Sequence, residues 1–361
     1  MSWAEAPPLA HPRGGLAAAT CDAPAPGSGQ WIYAIGGYDG TNPVNTVEAY
    51  DTAQKTWSTL PSMPTPRVYL GAASSAGRLH ALGGWGPTFT PVATHEVYEP
   101  ATNAWSSQAA PVPTARGAFG AVTGPDGLIY VIGGQDPSNP FLATVDAYDP
   151  AADQWITKAP MNTPRRLMGA VAAPDGLIYA IGGGGAQGAL SSVETFDVAT
   201  NTWTLSSHPL PAATCLLAAA VDSNGRIYAI GGFRANSQYA ADVYSYDPTA
   251  PGWAKRPPLL IGRAGLAADT GPDGLVYAIG GNSYPSGAVF TDVEAYAFDK
   301  CDYIEFQIGL VGHQIDKELA LLELPQLNPQ QRAAILAQIA ALRTQQNGLM
   351  TQLKYCWLIG G

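Results

Sequence analysis

The stretch IYAIGG stands at residues 32–37 and returns, letter for letter, at 178–183 and 227–232. Near-copies fill the intervals: LHALGG at 79–84, IYVIGG at 129–134 and VYAIGG at 276–281. The six starts lie 47 to 50 residues apart, and self-similarity at a fixed period of that size marks a repeat architecture. A β-branched and aromatic run halted by two glycines reads as a strand that ends at a turn. What surrounds that strand in each copy therefore decides the fold.

Upstream, an Arg opens a strand rich in small residues: RVYLGA at 67–72, RGAFGA at 116–121, RRLMGA at 165–170. A turn follows, PDG at 125–127, 174–176 and 272–274 or SNG at 223–225, with Gly available for positive φ. Downstream comes a third strand: VEAYD, HEVYE, VDAYD, VETFD, VYSYD or VEAYA. Seven residues beyond its aromatic stands a Trp, at Trp57, Trp105, Trp155, Trp203 and Trp253. Four short strands per unit, six units and no helices between them read as propeller blades.

The Gly-Gly doublet, the spaced Tyr and Trp and the Arg opening the next unit resemble the Kelch-repeat family, of the bacterial type and the galactose-oxidase-like superfamily. The resemblance covers roughly residues 1–300. It implies an all-β, six-bladed propeller over 1–304, with blades at roughly 13–60, 65–108, 114–158, 163–208, 212–256 and 261–300 plus 1–7. The sixth unit has Tyr303 where the Trp is expected, while Trp3 stands ten residues before Arg13, as Trp57 stands before Arg67. Trp3 is therefore expected to close blade six as its outer strand, which removes two exposed sheet edges.

Beyond about residue 304 the apolar spacing changes to three and four. Residues 313–324 place Ile315, Leu319 and Leu322 on one helical face. Asn328, Pro329 and Gln331 then offer a cap, a first-position Pro and a capping-box partner. Ile335, Ile339, Leu342, Leu349 and Leu353 continue in a heptad-like stripe along a helix about 40 Å long. A C-terminal helical hairpin over 305–361 is expected, bracketed by Cys301 and Cys356, with a homodimer through its long helix.

With 13% charged and 46% hydrophobic residues the chain is globular. A net charge of −10 argues against a nucleic-acid or anionic-membrane partner, because phosphate recognition needs a basic face. The opening residues carry neither the basic start nor the apolar run of a signal peptide, and no stretch is long enough to span a membrane. These features read as cytoplasmic, with secretion as the alternative. The four cysteines form no C-x-x-C pair and read as free thiols.

What all repeats share is expected to be scaffold, and what breaks the symmetry is the better functional lead. Glu48, Glu96, Asp146, Glu194 and Glu294 recur and read as structural pairing groups. Arg13, Arg67, Arg116, Arg165 and Arg263 fill five of six equivalent places, and Thr214 takes the sixth. In Kelch domains of the substrate-adaptor type, such arginines and the aromatics after the glycines line a ligand-binding mouth. The matching positions are Tyr38, Trp85, Gln135, Gly184, Phe233 and Asn282, with Arg234 next in line. Arginines facing one channel would capture an acidic peptide, an acidic protein surface or a small anionic ligand. The competing reading, held equally, is that each Arg braces its own seam.

His80 and His95 break the pattern in blade two, and packed histidines are the better reading than a metal pair. No motif calls for a metal or a cofactor. The chain contains no Tyr-His dipeptide of the galactose oxidases and no iron motif of the specifier proteins. A ligand- or protein-binding module is thus the expected function, with no catalytic residue assigned. The alternative is a metal-independent epimerase, isomerase or lyase working at the same mouth.

Overall fold

The computed structural model describes residues 2–24, 29–234, 236, 238–250, 252–283, 288–296 and 328–359, with positions 308, 311, 312, 315, 318, 319 and 322. Six four-stranded antiparallel sheets follow one another along the chain, one for each copy of the glycine doublet. In the first, Ala17–Asp22, Gln30–Ile35, Val47–Asp51 and Thr56–Leu60 lie side by side in sequence order. The IYAIGG strand is always second. It is flanked on both sides, so its side chains are buried and its sequence is nearly continuous in apolar residues.

The first strands are inner strands. Each touches the first strand of the next blade, and the ring of contacts includes the pair joining blade six to blade one. This packing explains their composition: a Cβ on Gly71 would lie 2.6 Å from that of Ala121, and one on Gly120 would lie 2.5 Å from that of Ala170. Only small side chains let six inner strands converge. The doublet glycines have their own reason, since both have positive φ in all six copies and a Cβ on Gly36 would meet the Arg67 carbonyl at 2.7 Å.

The ring closes as expected. Trp3–Ala6 pairs antiparallel with Val293–Tyr296, in a register that sets Trp3 opposite Tyr296. The equivalent Tyr50 and Trp57 are cross-strand partners in blade one. Every outer-strand Trp spans a seam through its indole N–H. Trp57 donates to the Pro7 carbonyl, Trp105 to Pro61, Trp155 to Ala110, Trp203 to Ala159 and Trp253 to His208, and Trp3 donates to Pro257 at 3.1 Å.

Toward the C-terminus, α1 (Pro329–Ile359) is a single long helix. Its start is a reciprocal capping box: Gln331 N–H donates to Asn328 Oδ1 at 2.9 Å, and Asn328 N–H donates to Gln331 Oε1 at 3.0 Å. Ile339 is buried with Val311 and Ile315, and Leu322, Ile335, Leu342 and Leu349 pack against them. Ile315, Leu319 and Leu322 are helical, while most of the first arm of the expected hairpin lies outside the described residues, as do Cys301 and the side chain of Cys356. Among the described residues no helix is long and apolar enough to cross a membrane.

Candidate functional site

The five repeat-opening arginines lie inside the wall rather than on the mouth. Arg13, Arg67, Arg116, Arg165 and Arg263 are each 0–1% exposed. Each meets the carboxylate of its own blade: Arg67 and Glu96 at 2.7 Å, Arg116 and Asp146 at 2.5 Å, Arg165 and Glu194 at 2.6 Å, Arg263 and Glu294 at 2.7 Å, Arg13 and Glu48 at 3.4 Å. The same forks donate to carbonyls at the end of the glycine strand, as Arg67 does to Gly83 at 3.0 Å and Arg165 to Gly182 at 3.0 Å. Their own carbonyls accept from the second glycine of the preceding blade, Gly37 to Arg67 and Gly84 to Arg116 among them. A guanidinium so enclosed braces two strands and one seam. The expectation that these arginines line the ligand site is therefore corrected: they have no surface to offer, because a buried charge is kept only where it is paired.

Two residues after each of the five arginines, and after Thr214 in blade five, the chain turns in toward the axis. Gly15, Tyr69, Ala118, Leu167, Leu216 and Gly265 all have φ between 50° and 60°. In that left-handed conformation each N–H points along the ring to the carbonyl of the residue before it. Gly15 donates to Gly265 at 2.7 Å, Tyr69 to Gly15 at 2.7 Å, Ala118 to Tyr69 at 2.9 Å, Leu167 to Ala118 at 2.7 Å, Leu216 to Leu167 at 2.8 Å and Gly265 to Leu216 at 2.9 Å. Six backbone hydrogen bonds thus close a circle, one from each blade. Four of the six residues are not glycine, and an unfavourable backbone held in place by its surroundings is the kind of strain that collects at functional sites. The ring and the apolar side chains next to it line a cavity of about 100 Å³.

This circle is the floor of a mouth, and the residues following each glycine doublet stand beside it. Tyr38 bridges to Gly14, Trp85 to Val68, Gln135 to Gly117, Gly184 to Arg166, Phe233 to Cys215 and Asn282 to Ala264. All six are half-buried. Aromatic rings meet edge to face around them: Tyr69 with Trp85 at 5.3 Å, Tyr38 with Phe89 at 6.1 Å, Phe233 with Tyr239 at 5.2 Å. Arg166 donates to Gln135 Oε1, and its guanidinium lies 5.1 Å from the ring centre of Phe141. Burial pushes the Tyr69 hydroxyl and the Cys215 thiol up, with Arg166 opposing both, so side chains of blades two, four and five share one field. Arg234 differs in being compensated, since it and Lys255 share Asp242 at 2.5 and 2.9 Å. Among the described residues, Trp85 Nε1, Arg234 Nε and Asn282 Oδ1 are buried without a hydrogen-bond partner.

A family model described as the KLHDC2/KLHL20/DRC7 Kelch-repeats domain matches residues 73–281, and a Kelch motif matches residues 19–64. The chain belongs to the Kelch-repeat family. Among known Kelch proteins it is similar to an F-box/kelch-repeat protein of Arabidopsis thaliana, 38% identical over 80 residues, 22% of this chain and 23% of that one. It is 37% identical over 101 residues to Kelch-like ECH-associated protein 1A of Danio rerio, 27% of this chain and 16% of that one. Each match spans less than a quarter of the relative's length. The solved structure of YjhT superposes with a TM-score of 0.67 at 18% identity, covering 82% of this chain and 98% of that one, a likeness of fold alone.

In this Kelch propeller Tyr38, Trp85, Gln135, Phe233 and Asn282 each bridge to the segment that opens their own blade, Arg234 pairs with Thr214, and the five arginines are enclosed in the wall. Arg166, Tyr69, Cys215, Tyr239, Phe89 and Phe141 escaped the sequence reading. For Arg166 and Tyr69 a signal existed. They lie one and two places after the repeat-opening Arg, where other blades carry Gly, Val, Cys or Ala and Gly, Ala or Leu. Tyr69 lines the cavity at the ring, and Arg166 breaks the symmetry one residue before the ring position of its blade.

Proposed function

We propose that this chain is a binding module that captures an anionic ligand, an acidic peptide or a small carboxylate, at the mouth floored by the six-residue hydrogen-bond ring. The observation that carries the reading is Arg166. Among the described residues it is a half-buried mouth guanidinium held by a neutral amide and an aromatic face, with no carboxylate paired to it. A planar fork held this way, close enough to Tyr69 to act on its hydroxyl, suits a carboxylate borne by a flat or apolar body. The family supports the coarser part of the reading, a protein- or ligand-binding propeller.

The test is a fluorescence titration, following Trp85 and the neighbouring aromatics, with a panel of acidic peptides and small carboxylates. Arg166→Ala is expected to weaken the best of them about tenfold or more, the scale of a charge-assisted hydrogen bond, and to leave the melting temperature nearly unchanged. Binding that ignores both the substitution and added salt would remove the anionic reading. An epimerase, isomerase or lyase at the same mouth would reveal itself in that titration by converting the ligand rather than holding it.

A further inference from the structure

Beyond the ring, toward the β-turns, the six inner strands enclose a channel of about 340 Å³, within the size range of small-molecule sites. One alanine from each blade forms a collar around it: Ala18, Ala72, Ala121, Ala170, Ala219 and Ala268. All but Ala72 are half-buried, so the channel wall is accessible. The next position breaks the symmetry. Ala19, Ala73, Val122, Val171 and Ala220 stand opposite the tyrosine of the glycine strand, or His80 in blade two, and all five are buried. Blade six has Asp269 there, opposite Tyr277. Asp269 is half-buried, and it is the one charged residue among those lining the channel.

The five arginines of the wall each have a carboxylate, but this carboxylate has no arginine. Asp269 Oδ1 accepts from Thr270 N–H at 2.8 Å, and Thr20 of blade one also hydrogen-bonds to the carboxylate. Burial raises the Asp269 pKa, and what opposes the rise is Thr20 and Thr270, not a Lys or an Arg. A charge at the centre of a protein is costly unless a counter-charge meets it.

The lining decides which counter-charge fits. Among the described residues no group of three His, Cys, Asp or Glu could hold a metal ion, and one carboxylate among methyl groups offers too few oxygens for a bare cation. No residue lining the channel is aromatic, so a quaternary ammonium finds no ring face. With Oδ1 already engaged, the two-oxygen face that a guanidinium fork prefers is compromised. An ammonium with N–H donors needs one free oxygen. The Thr20 and Thr123 hydroxyls give their protons to the carbonyls of Thr270 and Ser74, at 2.9 and 2.6 Å, and keep oxygen lone pairs to accept with.

We propose that this channel binds a primary alkylammonium ion, its head on Asp269 and its chain within the alanine collar. The site has the opposite charge preference to the mouth and lies on the other side of the hydrogen-bond ring.

n-Butylammonium chloride is the probe, titrated calorimetrically into the full chain at about pH 8, where an alkylamine is protonated as a lysine is. The expected result is saturation of one site with a Kd of about millimolar or tighter, as a ligand of so few atoms allows. 1-Butanol, with the same chain and no charge, should bind at least about tenfold more weakly. Asp269→Asn keeps the shape, removes the charge and is expected to bring butylammonium down to the level of butanol. Asp269→Val installs the residue of blades three and four and is expected to do the same. The comparison with butanol needs no variant and serves if neither folds. Arg166→Ala must leave butylammonium binding unchanged, which separates this site from the mouth. No saturation by about 10 mM butylammonium, equal affinity for butanol, or wild-type affinity in either Asp269 variant overturns the proposal. Displacement of butylammonium by an equal concentration of potassium or calcium chloride also overturns it, in favour of a metal ion.

Discussion

At the scale of single residues, the structure turns on what is done with buried charge. Arg67 is enclosed, and burial outweighs the neighbouring Glu96 in lowering its pKa from the usual value. Arg67→Ala would strand Glu96 in the wall, and losing one partner of a buried pair costs about 3–5 kcal/mol. Blade five shows the cheaper state, because Thr214 stands for the Arg and Tyr244 for the acid. Arg67→Thr with Glu96→Tyr is therefore expected to cost less than Arg67→Ala alone in chemical denaturation, and additive losses would count against the pairing. This pairing was legible beforehand: the one blade without the arginine is the one without the carboxylate. His80 and His95 give a second prediction, in pH. Their folded pKa values, about 3 and 4, lie below the ordinary 6.5, so the unfolded chain takes up protons first as pH falls. Their contribution to stability is complete above pH 6.5 and drains away toward pH 4 and below. Melting temperatures of the wild type should drop through that window more steeply than those of His80→Tyr with His95→Val, and parallel curves would refute the assignment.

At the scale of elements, strand order and the closing strand could be read from spacing alone, since each strand ends at a glycine or turn signal that the structure uses as such. The mouth was legible only in part. The residues after the glycines follow a strand whose direction is fixed by the repeat, whereas Arg166 and Tyr69 show in the sequence only as breaks in the repeat, and the left-handed turn at Tyr69 and Leu167 that places them is announced by no residue type. The helical region divides in the same way. The capping box at Asn328 was readable, and Asn328→Ala is expected to cost about 1 kcal/mol of helix stability, seen as earlier loss of far-ultraviolet dichroism on heating. An unchanged helix signal would mean that packing alone fixes the helix start. The apolar stripe was also readable, but its partner was not. With Ile339 buried against Val311 and Ile315, part of the stripe is covered within the chain. A homodimer through the long helix would need more of it, and light scattering before and after trimming at residue 304 decides whether that partner role exists.

At the scale of the whole molecule, stability rests on a circle, and a circle is only as sound as its joint. Blade six draws its outer strand from Trp3–Ala6, almost the full length of the chain away from Val293–Tyr296. Trp3 is 3% exposed, its ring centre lies 5.2 Å from that of Tyr296, and its indole N–H reaches across the seam to Pro257. Deleting residues 1–7 removes a buried tryptophan, worth about 3–5 kcal/mol, and leaves the Val293–Tyr296 edge unpaired. Against a total stability of about 5–15 kcal/mol that is a large fraction. The damage should also travel, because Gly15 N–H to Gly265 and Gly281 N–H to Arg13 are the bonds by which blades one and six share the mouth floor and the arginine brace. The truncated chain is therefore expected to melt on the order of 10 °C lower, to self-associate through its open edge, and to lose ligand binding at the mouth although no mouth residue has been touched. A synthetic peptide of residues 1–7 should reverse all three effects, since it can add to the same edge as a strand. If the truncated chain keeps its melting temperature, the joint lies elsewhere; if it melts early yet binds as before, the floor does not depend on the ring being closed.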